Sequence, residues 1–267
     1  MKCTSEKWAE VFVLNDIKFE EMPGSYKSKY KDTPIYIAKN VLKYPEQVKE
    51  FMENGYWWEN GGAQMRAEGC TRPGKSFDFG QKLEDYFSPL INKLQKFYDV
   101  DEVVPIEMYG NCYNSDMDLY NIVSAFPHVD TYPGDNQNEN PLHDYAFNLN
   151  LTKSDKVKTA FYSFNNKRSI CNFTKRDFDD LEIVRQKHES IEVKDWKKEL
   201  ADEDYENFKL EYISNIDYNS MVIYPSHHWH SVYIKEDWFT DIDRITLTGF
   251  FETIVPKVKK TKKLGFG

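Results

Sequence analysis

One stretch of the sequence decides how the fold and the site are interpreted, namely Phe126-Pro127-His128-Val129-Asp130-Thr131. Side chains alternate between the two faces of a β-strand, so His128 and Asp130 project from the same side if this stretch is extended. An imidazole and a carboxylate arranged in this way can bind one metal ion together. The stretch therefore predicts two ligands of a metal site on a β-strand.

A third ligand is expected from a second stretch, Tyr224-Pro225-Ser226-His227-His228-Trp229-His230-Ser231. Alternation places His228 and His230 on one face of this strand, with His227 and Trp229 on the other. Either His228 or His230 would complete a site of two histidines and one carboxylate. That set suits non-haem Fe(II) and leaves coordination positions open for reactants. From alternation alone, both histidines remain candidates.

The strand-like run Arg244-Ile245-Thr246-Leu247-Thr248 has one polar and one apolar face. An amphipathic strand with its polar side in water explains this pattern. A second interpretation places the polar side inside a barrel, where Arg244 could hold a carboxylate through two parallel charged hydrogen bonds and Thr246 could add a third. Asn148 and Asn150 likewise share one face of a strand, which suits the polar wall of a pocket.

Short β-like runs separated by turns begin near Val103 and predict a barrel or a sandwich. The runs are residues 106–113, 121–126, 145–151, 159–164, 220–224, 228–234 and 244–254. Ahead of them, residues 34–38 are expected to form a strand and residues 44–52 a helix, and this pair is expected to pack against a barrel edge. The apolar spacing over residues 82–98 predicts one amphipathic helix.

Residues 165–216 differ in character from the runs around them, because much of this segment is highly charged. Five of its apolar and aromatic residues are spaced as on a helix: Trp196, Leu200, Tyr205, Phe208 and Tyr212. We interpret the segment as a helical insertion over or beside the barrel mouth, a position where long insertions are tolerated. The expected organisation is a single domain, with N-terminal support in residues 1–105, a barrel core in residues 106–256 and a basic tail in residues 257–267.

Three signatures occur in order along the chain: His128-Val129-Asp130, His230-Ser231 and Arg244-Ile245-Thr246. In these H-x-D, distal His and R-x-S/T patterns the chain resembles the Fe(II)/2-oxoglutarate-dependent oxygenases, and most closely bacterial and phage members of that family. The resemblance covers roughly residues 109–251 and does not extend to residues 1–105. It implies a mainly β fold with α decorations, in which a double-stranded β-helix (a jelly-roll or cupin-like barrel) carries N-terminal helices and a helical insertion.

The resemblance also implies a metal site. Fe(II) would be bound by His128, Asp130 and His230, which would be the catalytic centre. The family places Ser or a similar residue directly after its distal histidine, as Ser231 is placed here, and this favours His230 over His228. Because the carboxylate of Asp130 is present, the resemblance implies hydroxylation as the default reaction.

A cosubstrate site is implied in the same way. The resemblance assigns Arg244 and Thr246 to the distal carboxylate of 2-oxoglutarate, while Tyr162, Tyr224 and Asn148 are expected to line the cosubstrate pocket. O2 would be the second reactant. The expected activity is a dioxygenase reaction that hydroxylates an unidentified small-molecule or peptide substrate and releases succinate and CO2.

Composition and charge limit the partners. The chain of 267 residues carries a formal charge of −9 at pH 7, which argues against a general affinity for nucleic-acid phosphates. No apolar run approaches the roughly 18 residues that span a bilayer, so no membrane partner is expected. The four cysteines form no C-x-x-C pair and the N-terminus has no apolar signal core, so free thiols and a cytoplasmic location are expected.

An alternative class is a cupin-like barrel that binds a metal, or a catalytically inactive binding module, with the charged insertion serving a protein partner. The three metal ligands alone do not separate this class from the enzyme. Arg244 and Thr246 favour the enzyme, since a metal scaffold has no need of an anchor for a dicarboxylate.

Overall fold

The computed structural model shows a mainly β-sheet chain with a few helices. The residues it describes are 5–22, 27–28, 31–32, 34–53, 57–59, 75–78, 83–113, 127–130, 144–189, 204–205, 207–233 and 241–254. Its helices are α1 (Ser5–Val11), α2 (Pro45–Glu53), α3 (Leu83–Tyr98) and α4 (Lys175–Glu189), with a 3-10 turn at Ile170–Asn172. Its strands are β1 (Phe19–Glu21), β2 (Lys27–Ser28), β3 (Lys31–Asp32), β4 (Tyr36–Ala38), β5 (Trp57–Glu59), β6 (Lys75–Asp78), β7 (Glu102–Tyr113), β8 (Asp144–Asn150), β9 (Lys158–Phe164), β10 (Asp204–Tyr205), β11 (Phe208–Asn215), β12 (Met221–Pro225), β13 (His230–Tyr233) and β14 (Arg244–Ile254).

The strands form two antiparallel sheets and a small hairpin. The major sheet has the order β1-β4-β12-β8-β14-β7-β6-β5, the minor sheet has the order β10-β11-β9-β13, and β2 pairs with β3. Along the chain, β8 and β12 lie in the major sheet, whereas the strands that follow them, β9 and β13, lie in the minor sheet. This exchange of strands between two sheets is the pattern of a jelly roll. The predicted double-stranded β-helix is therefore confirmed.

The N-terminal helices cover the outer face of the major sheet. Trp8 of α1, Met52 of α2 and Leu90 of α3 belong to one apolar core with Leu247 of β14. The indole Nε1 of Trp8 donates a hydrogen bond to the backbone carbonyl of Tyr86 at 2.8 Å, which ties α1 to α3. Because this core closes the outer face, the polar side chains of β14 and β8 are left on the inner face.

Helix α4 covers the outer face of the minor sheet. Leu181 and Val184 of α4 pack in a second core with Tyr162, Phe208 and Trp229. The helix thus provides the apolar cover that the minor sheet would otherwise lack.

A third and smaller cluster lies between the two sheets. Val222 and Tyr224 of β12 contact this cluster from the major sheet, and Phe161 of β9 contacts it from the minor sheet. The ring centroids of Phe161 and Tyr224 are 5.2 Å apart. The inner faces of the two sheets therefore meet around these aromatic residues, next to the polar side chains described below.

The helix expected from the spacing of Trp196, Leu200, Tyr205, Phe208 and Tyr212 is wrong in its C-terminal part. From Asp204 onward the chain forms β10 and β11, and Phe208 pairs with Phe164 of β9. Residues four apart share a face of a strand as well as a face of a helix, so the spacing of Phe208 and Tyr212 is compatible with both. Pairing with β9 decides the outcome, and residues 208–215 belong to the minor sheet rather than to the insertion. The division of the chain into support, barrel and tail stays a prediction.

The strand expected over residues 34–38 is present as β4. It joins one end of the major sheet, where it pairs with β12 on one side and β1 on the other. The strand expected over residues 121–126 and the tail at residues 257–267 lie outside the described residues. Among the described residues, none of the helices has the length and apolar character needed to cross a membrane.

Candidate metal centre

An isolated antiparallel bridge brings the two predicted metal-binding stretches together. The backbone N–H of His128 donates to the carbonyl of His230 at 2.9 Å, and the N–H of His230 donates back to the carbonyl of His128 at 2.9 Å. Residues paired directly across an antiparallel ladder project from the same face. The two imidazole rings accordingly lie side by side, with centroids 4.5 Å apart.

Asp130 completes a cluster with these two histidines. Its backbone N–H donates to the carbonyl of Ser226 at 2.8 Å, which fixes the chain after the bridge. One carboxylate oxygen lies 3.2 Å from Nε2 of His230 and the other lies 3.8 Å from Nε2 of His128. One ligand atom from each of the three residues lies within 4.8 Å of the others. Among the described residues, this is the group of three whose spacing suits a metal ion.

His230 is held in one orientation. Its Nδ1 lies 2.9 Å from the backbone carbonyl of His228, so Nδ1 carries a proton that it donates to that oxygen. Nε2 then faces Asp130 and is available as a ligand atom. Burial lowers the pKa of His230, but the carboxylate of Asp130 and the carbonyl of His228 outweigh burial, so the pKa lies above its ordinary value.

His228 is buried but does not belong to this cluster. Together with Phe161, Arg168 and Tyr212 it lines a small pocket beside the minor sheet. Burial, with smaller contributions from His227 and Arg168, holds the pKa of His228 well below its usual value. The structure therefore groups His230, and not His228, with His128 and Asp130. His228 contributes its backbone carbonyl instead of its ring.

Arg244 and Thr246 lie on the inner face of the major sheet. Arg244 is 5% exposed, and its Nη1 donates to Oγ1 of Thr246 at 3.4 Å. Ile245 and Leu247 point the other way, into the core under the helices. The interpretation in which the polar side of this strand faces water is therefore wrong, because Arg244 and Thr246 are both buried.

Tyr224 contacts the cluster through the ring of His230. Its ring centroid lies 4.6 Å from that of His230. Burial raises the pKa of its phenol well above the ordinary value, the negative charge of Asp130 raises it further, and the positive charge of Arg244 opposes this. Tyr224 therefore lies within electrostatic range of both Asp130 and Arg244.

Asn148 contacts Tyr224 on the same inner face. Its Nδ2 donates to the phenol oxygen at 3.2 Å, and its Oδ1 accepts from Oγ1 of Thr248 at 2.6 Å. Both polar atoms of the Asn148 amide are thus engaged by protein groups. The expectation that Asn148 lines the cosubstrate pocket stays a prediction.

The structure does not bring Tyr162 to the cluster. Tyr162 lies in the outer core under α4, and its phenol oxygen accepts a hydrogen bond from Oγ of Ser231 at 3.2 Å. The register of β9 explains this, because Phe161 pairs with His230 and takes the inward position. Tyr162 is next in the chain and faces outward. The structure therefore does not group Tyr162 with the cluster, and its neighbour Phe161 takes the inward position.

Sequence reasoning also missed the two backbone carbonyls that orient the cluster. The carbonyl of Ser226 holds Asp130, and the carbonyl of His228 holds His230. A main-chain acceptor leaves no residue-type signal, so no motif could have identified either one. The inward position of Phe161 left no signal either, since Phe161 and Tyr162 offer one aromatic residue to each face of the strand.

The fold and this cluster define a double-stranded β-helix protein with a candidate metal centre. The chain belongs to a family of unknown function, DUF6445, whose model matches residues 25–251. No curated protein is detectably similar to it in sequence.

Solved structures with a similar fold exist. HygX from Streptomyces hygroscopicus, crystallised with nickel and 2-oxoglutarate bound, has a TM-score of 0.50 and 12% sequence identity over 83% of each chain. The non-heme alpha ketoglutarate dependent epimerase SnoN from nogalamycin biosynthesis has a TM-score of 0.45 and 9% identity, covering 87% of this chain and 86% of its own. At the identity seen with HygX, the likeness supports the fold assignment alone.

Proposed function

We propose that the protein is an Fe(II)- and 2-oxoglutarate-dependent dioxygenase that hydroxylates a small-molecule or peptide substrate. One observation carries the proposal: a cluster of two histidines and a carboxylate shares the inner face of the barrel with a buried arginine. Tyr224 contacts the cluster, since its ring centroid lies 4.6 Å from that of His230, and the charges of both Asp130 and Arg244 act on the pKa of its phenol. A metal that only stabilises a fold does not require a buried cation on the same inner face.

The donor set of the cluster fits Fe(II). Two imidazoles and one carboxylate are the ligands of non-haem iron centres that keep positions open for reactants. His230 presents Nε2 because Nδ1 is occupied by the carbonyl of His228. The carboxylate of Asp130 lies beside both rings. His128, Asp130 and His230 would therefore hold the metal, with Asp130 supplying the negative charge that partly neutralises it.

The inner face of β14 fits a dicarboxylate cosubstrate. Arg244 is buried and stays charged, because a guanidinium does not lose its proton in proteins. Its planar fork can bind one carboxylate of 2-oxoglutarate through two parallel hydrogen bonds. Thr246 can add a third hydrogen bond from its hydroxyl, and Tyr224 can donate its O–H to a further acceptor atom.

Iron, when bound, would supply the activation of O2 and the oxidation of a C–H bond. The overall reaction balances when one oxygen atom enters the substrate and the other enters succinate, with release of CO2 from 2-oxoglutarate. The chain's own residues orient the reactants and exclude water. Phe161 and Tyr224 line the inner side of the cluster with buried aromatic surface, which limits side reactions with water.

The substrate class follows from charge and from the site's position inside a barrel. The formal charge of −9 disfavours a polyanionic substrate, so a small molecule or a peptide side chain is the expected reactant. In barrels of this kind the loops determine which substrate binds, whereas side chains on the inner strands carry out the chemistry.

Turnover in a cell extract tests the proposal. Purified protein is incubated with Fe(II), ascorbate, O2 and 2-oxoglutarate in a fractionated extract, and succinate is measured together with compounds that gain one oxygen atom. The proposal expects a fraction-dependent rise in succinate matched by one oxygenated product. The Asp130→Ala variant is the matched control and should give neither. Tight metal binding without any succinate from any fraction would favour the cupin-like binding module instead.

A further inference from the structure

A chain of hydrogen bonds crosses the inner face of the major sheet from β7 to β12. Nδ2 of Asn111 on β7 donates to Oγ1 of Thr248 on β14 at 3.1 Å. Oγ1 of Thr248 donates to Oδ1 of Asn148 on β8 at 2.6 Å, and Nδ2 of Asn148 donates to the phenol oxygen of Tyr224 on β12 at 3.2 Å. Adjacent strands of the sheet therefore contribute one side chain each, in the order of the strands.

The direction of this chain follows from donor and acceptor chemistry. An amide nitrogen can only donate, so Thr248 accepts from Asn111. The hydroxyl of Thr248 has one proton, and that proton goes to Oδ1 of Asn148. The carbonyl side of the Asn148 amide is thereby turned toward Thr248, and its NH2 group is turned toward Tyr224. At the end of this series of hydrogen bonds, the phenol oxygen of Tyr224 accepts from Nδ2 of Asn148.

Tyr224 keeps one proton to donate elsewhere. Its phenol is buried and neutral, and Asp130 and Arg244 are the charged groups that act on it. Since Asn148 already donates to the oxygen, the O–H bond must point away from Asn148. We propose that Asn111, Thr248 and Asn148 form a relay that fixes Tyr224 as a hydrogen-bond donor toward the site, and so selects a ligand with an acceptor oxygen there, such as the carboxylate or keto oxygen of a 2-oxo acid. This inference rests on the proposed function.

Asn148 and Thr248 are positioning residues in this account. If the hydroxyl of Thr248 is removed, the amide of Asn148 is no longer held in one orientation. It can then turn its Oδ1 toward Tyr224, and the phenol would donate its proton to Asn148. The site would lose one donor although Tyr224, Arg244 and Asp130 are all unchanged.

The first arm of the test needs no ligand. Urea unfolding is measured for the apo forms of wild type, Thr248→Val, Tyr224→Phe and the double variant. A relay predicts that the double variant is less destabilised than the sum of the two single changes, although Asn148 stands between the two residues. Thr253→Val is the matched control, since Thr253 is a buried threonine on the same strand. The destabilisation by Thr253→Val should add to that by Tyr224→Phe. If the destabilisation by Thr248→Val also adds to that by Tyr224→Phe, the relay is overturned.

The second arm measures 2-oxoglutarate affinity of the Fe(II) forms. Thr248→Val should weaken binding by roughly 3- to 10-fold, the value of one neutral hydrogen bond, and Tyr224→Phe should weaken it to a similar extent. The double variant should bind 2-oxoglutarate no less tightly than the single variant with the lower affinity. Thr248→Ser keeps the hydroxyl and should restore affinity to within about twofold of wild type. Wild-type affinity in Thr248→Val would overturn the inference.

The two arms separate this inference from the proposed function. If wild type does not bind 2-oxoglutarate at all, the proposed function fails, and the unfolding measurements still decide whether the relay exists. If wild type binds 2-oxoglutarate but Thr248→Val binds it equally well, the proposed function stands and the relay fails.

Discussion

His128 and His230 exchange both backbone hydrogen bonds of an antiparallel bridge, each 2.9 Å long, although they belong to stretches far apart in the chain. The bridge determines that the two imidazoles project from the same face, and their rings are 4.5 Å apart as a result. Asp130 lies two residues after His128, and its carboxylate lies beside both imidazoles. The candidate metal centre is therefore positioned by main-chain pairing and does not depend on long flexible side chains.

Each member of this cluster should be required for metal binding. His128→Ala, Asp130→Ala and His230→Ala are each expected to lower Fe(II) affinity at least about a hundredfold, because a site with three protein ligands has no redundancy. Isothermal titration with Fe(II) under anaerobic conditions, or with Ni(II) as a stable substitute, measures this. His228→Ala is the control, and it should keep the affinity to within about tenfold. Loss of the metal in His228→Ala with retention in His230→Ala would reverse the assignment.

Arg244 should control cosubstrate affinity more than stability. Arg244→Ala removes two charge-assisted hydrogen bonds, each worth about 1.5–3 kcal/mol, so 2-oxoglutarate affinity should fall at least about tenfold and up to thousands-fold. Arg244→Lys should recover only part of this, because lysine keeps the charge without the planar fork. Thr246→Val should cost less, near the value of a single hydrogen bond. Calorimetric titration of 2-oxoglutarate into the four Fe(II) proteins compares them, and equal affinities would remove Arg244 from the site.

Gly249 should be intolerant of a side chain. A Cβ at this position would lie 2.4 Å from Cε1 of Phe147 and 3.0 Å from Cγ of Met108, and Phe147 is fully buried. Gly249→Ala is therefore expected to destabilise the fold by about 1–3 kcal/mol through overpacking. Urea unfolding measures the loss. Phe147→Leu makes room, so the double variant should be more stable than the sum of the single changes predicts. Strict additivity would contradict the steric explanation.

His227 should make stability depend on pH. It is 1% exposed, its Nδ1 lies 2.8 Å from Oγ of Ser169, and burial lowers its pKa from 6.5 to about 4. The folded pKa lies below the unfolded one, so only the unfolded chain takes up a proton between these values. Stability is therefore complete above about pH 6.5 and is lost as the pH falls toward about 4. His227→Gln cannot titrate, and its stability should fall by roughly 2 kcal/mol less than that of wild type between about pH 7 and about pH 5. Parallel curves for the two proteins would refute this.

Much of the barrel could be predicted from alternation in the sequence. The run over residues 244–254 has the same bounds as β14, because its polar and apolar residues alternate and one face is buried under helices. The helix predicted over residues 82–98 likewise matches α3 within one residue. Periodicity identifies such elements whenever each face has a single environment.

What alternation could not provide is the choice between the two faces of a strand. The pair Phe161 and Tyr162 offers one aromatic residue to each side of β9, and composition does not say which side is the interior. The pairing of Phe161 with His230 decides that Phe161 faces the interior, and His230 lies far away in the chain. The same reason explains why the spacing of Phe208 and Tyr212 predicts a helix, since only pairing with β9 distinguishes the strand.

Anaerobic titration of 2-oxoglutarate into the protein, with and without Fe(II), tests the central claim most directly. The account predicts that a visible charge-transfer absorbance appears only when both are present, because the cluster and Arg244 bind the two components in one place. Asp130→Ala should remove the absorbance by loss of the metal, and Arg244→Ala should shift the titration to higher 2-oxoglutarate concentrations. A protein that binds Fe(II) tightly but shows neither the absorbance nor any affinity for 2-oxoglutarate would contradict the account and favour the cupin-like module.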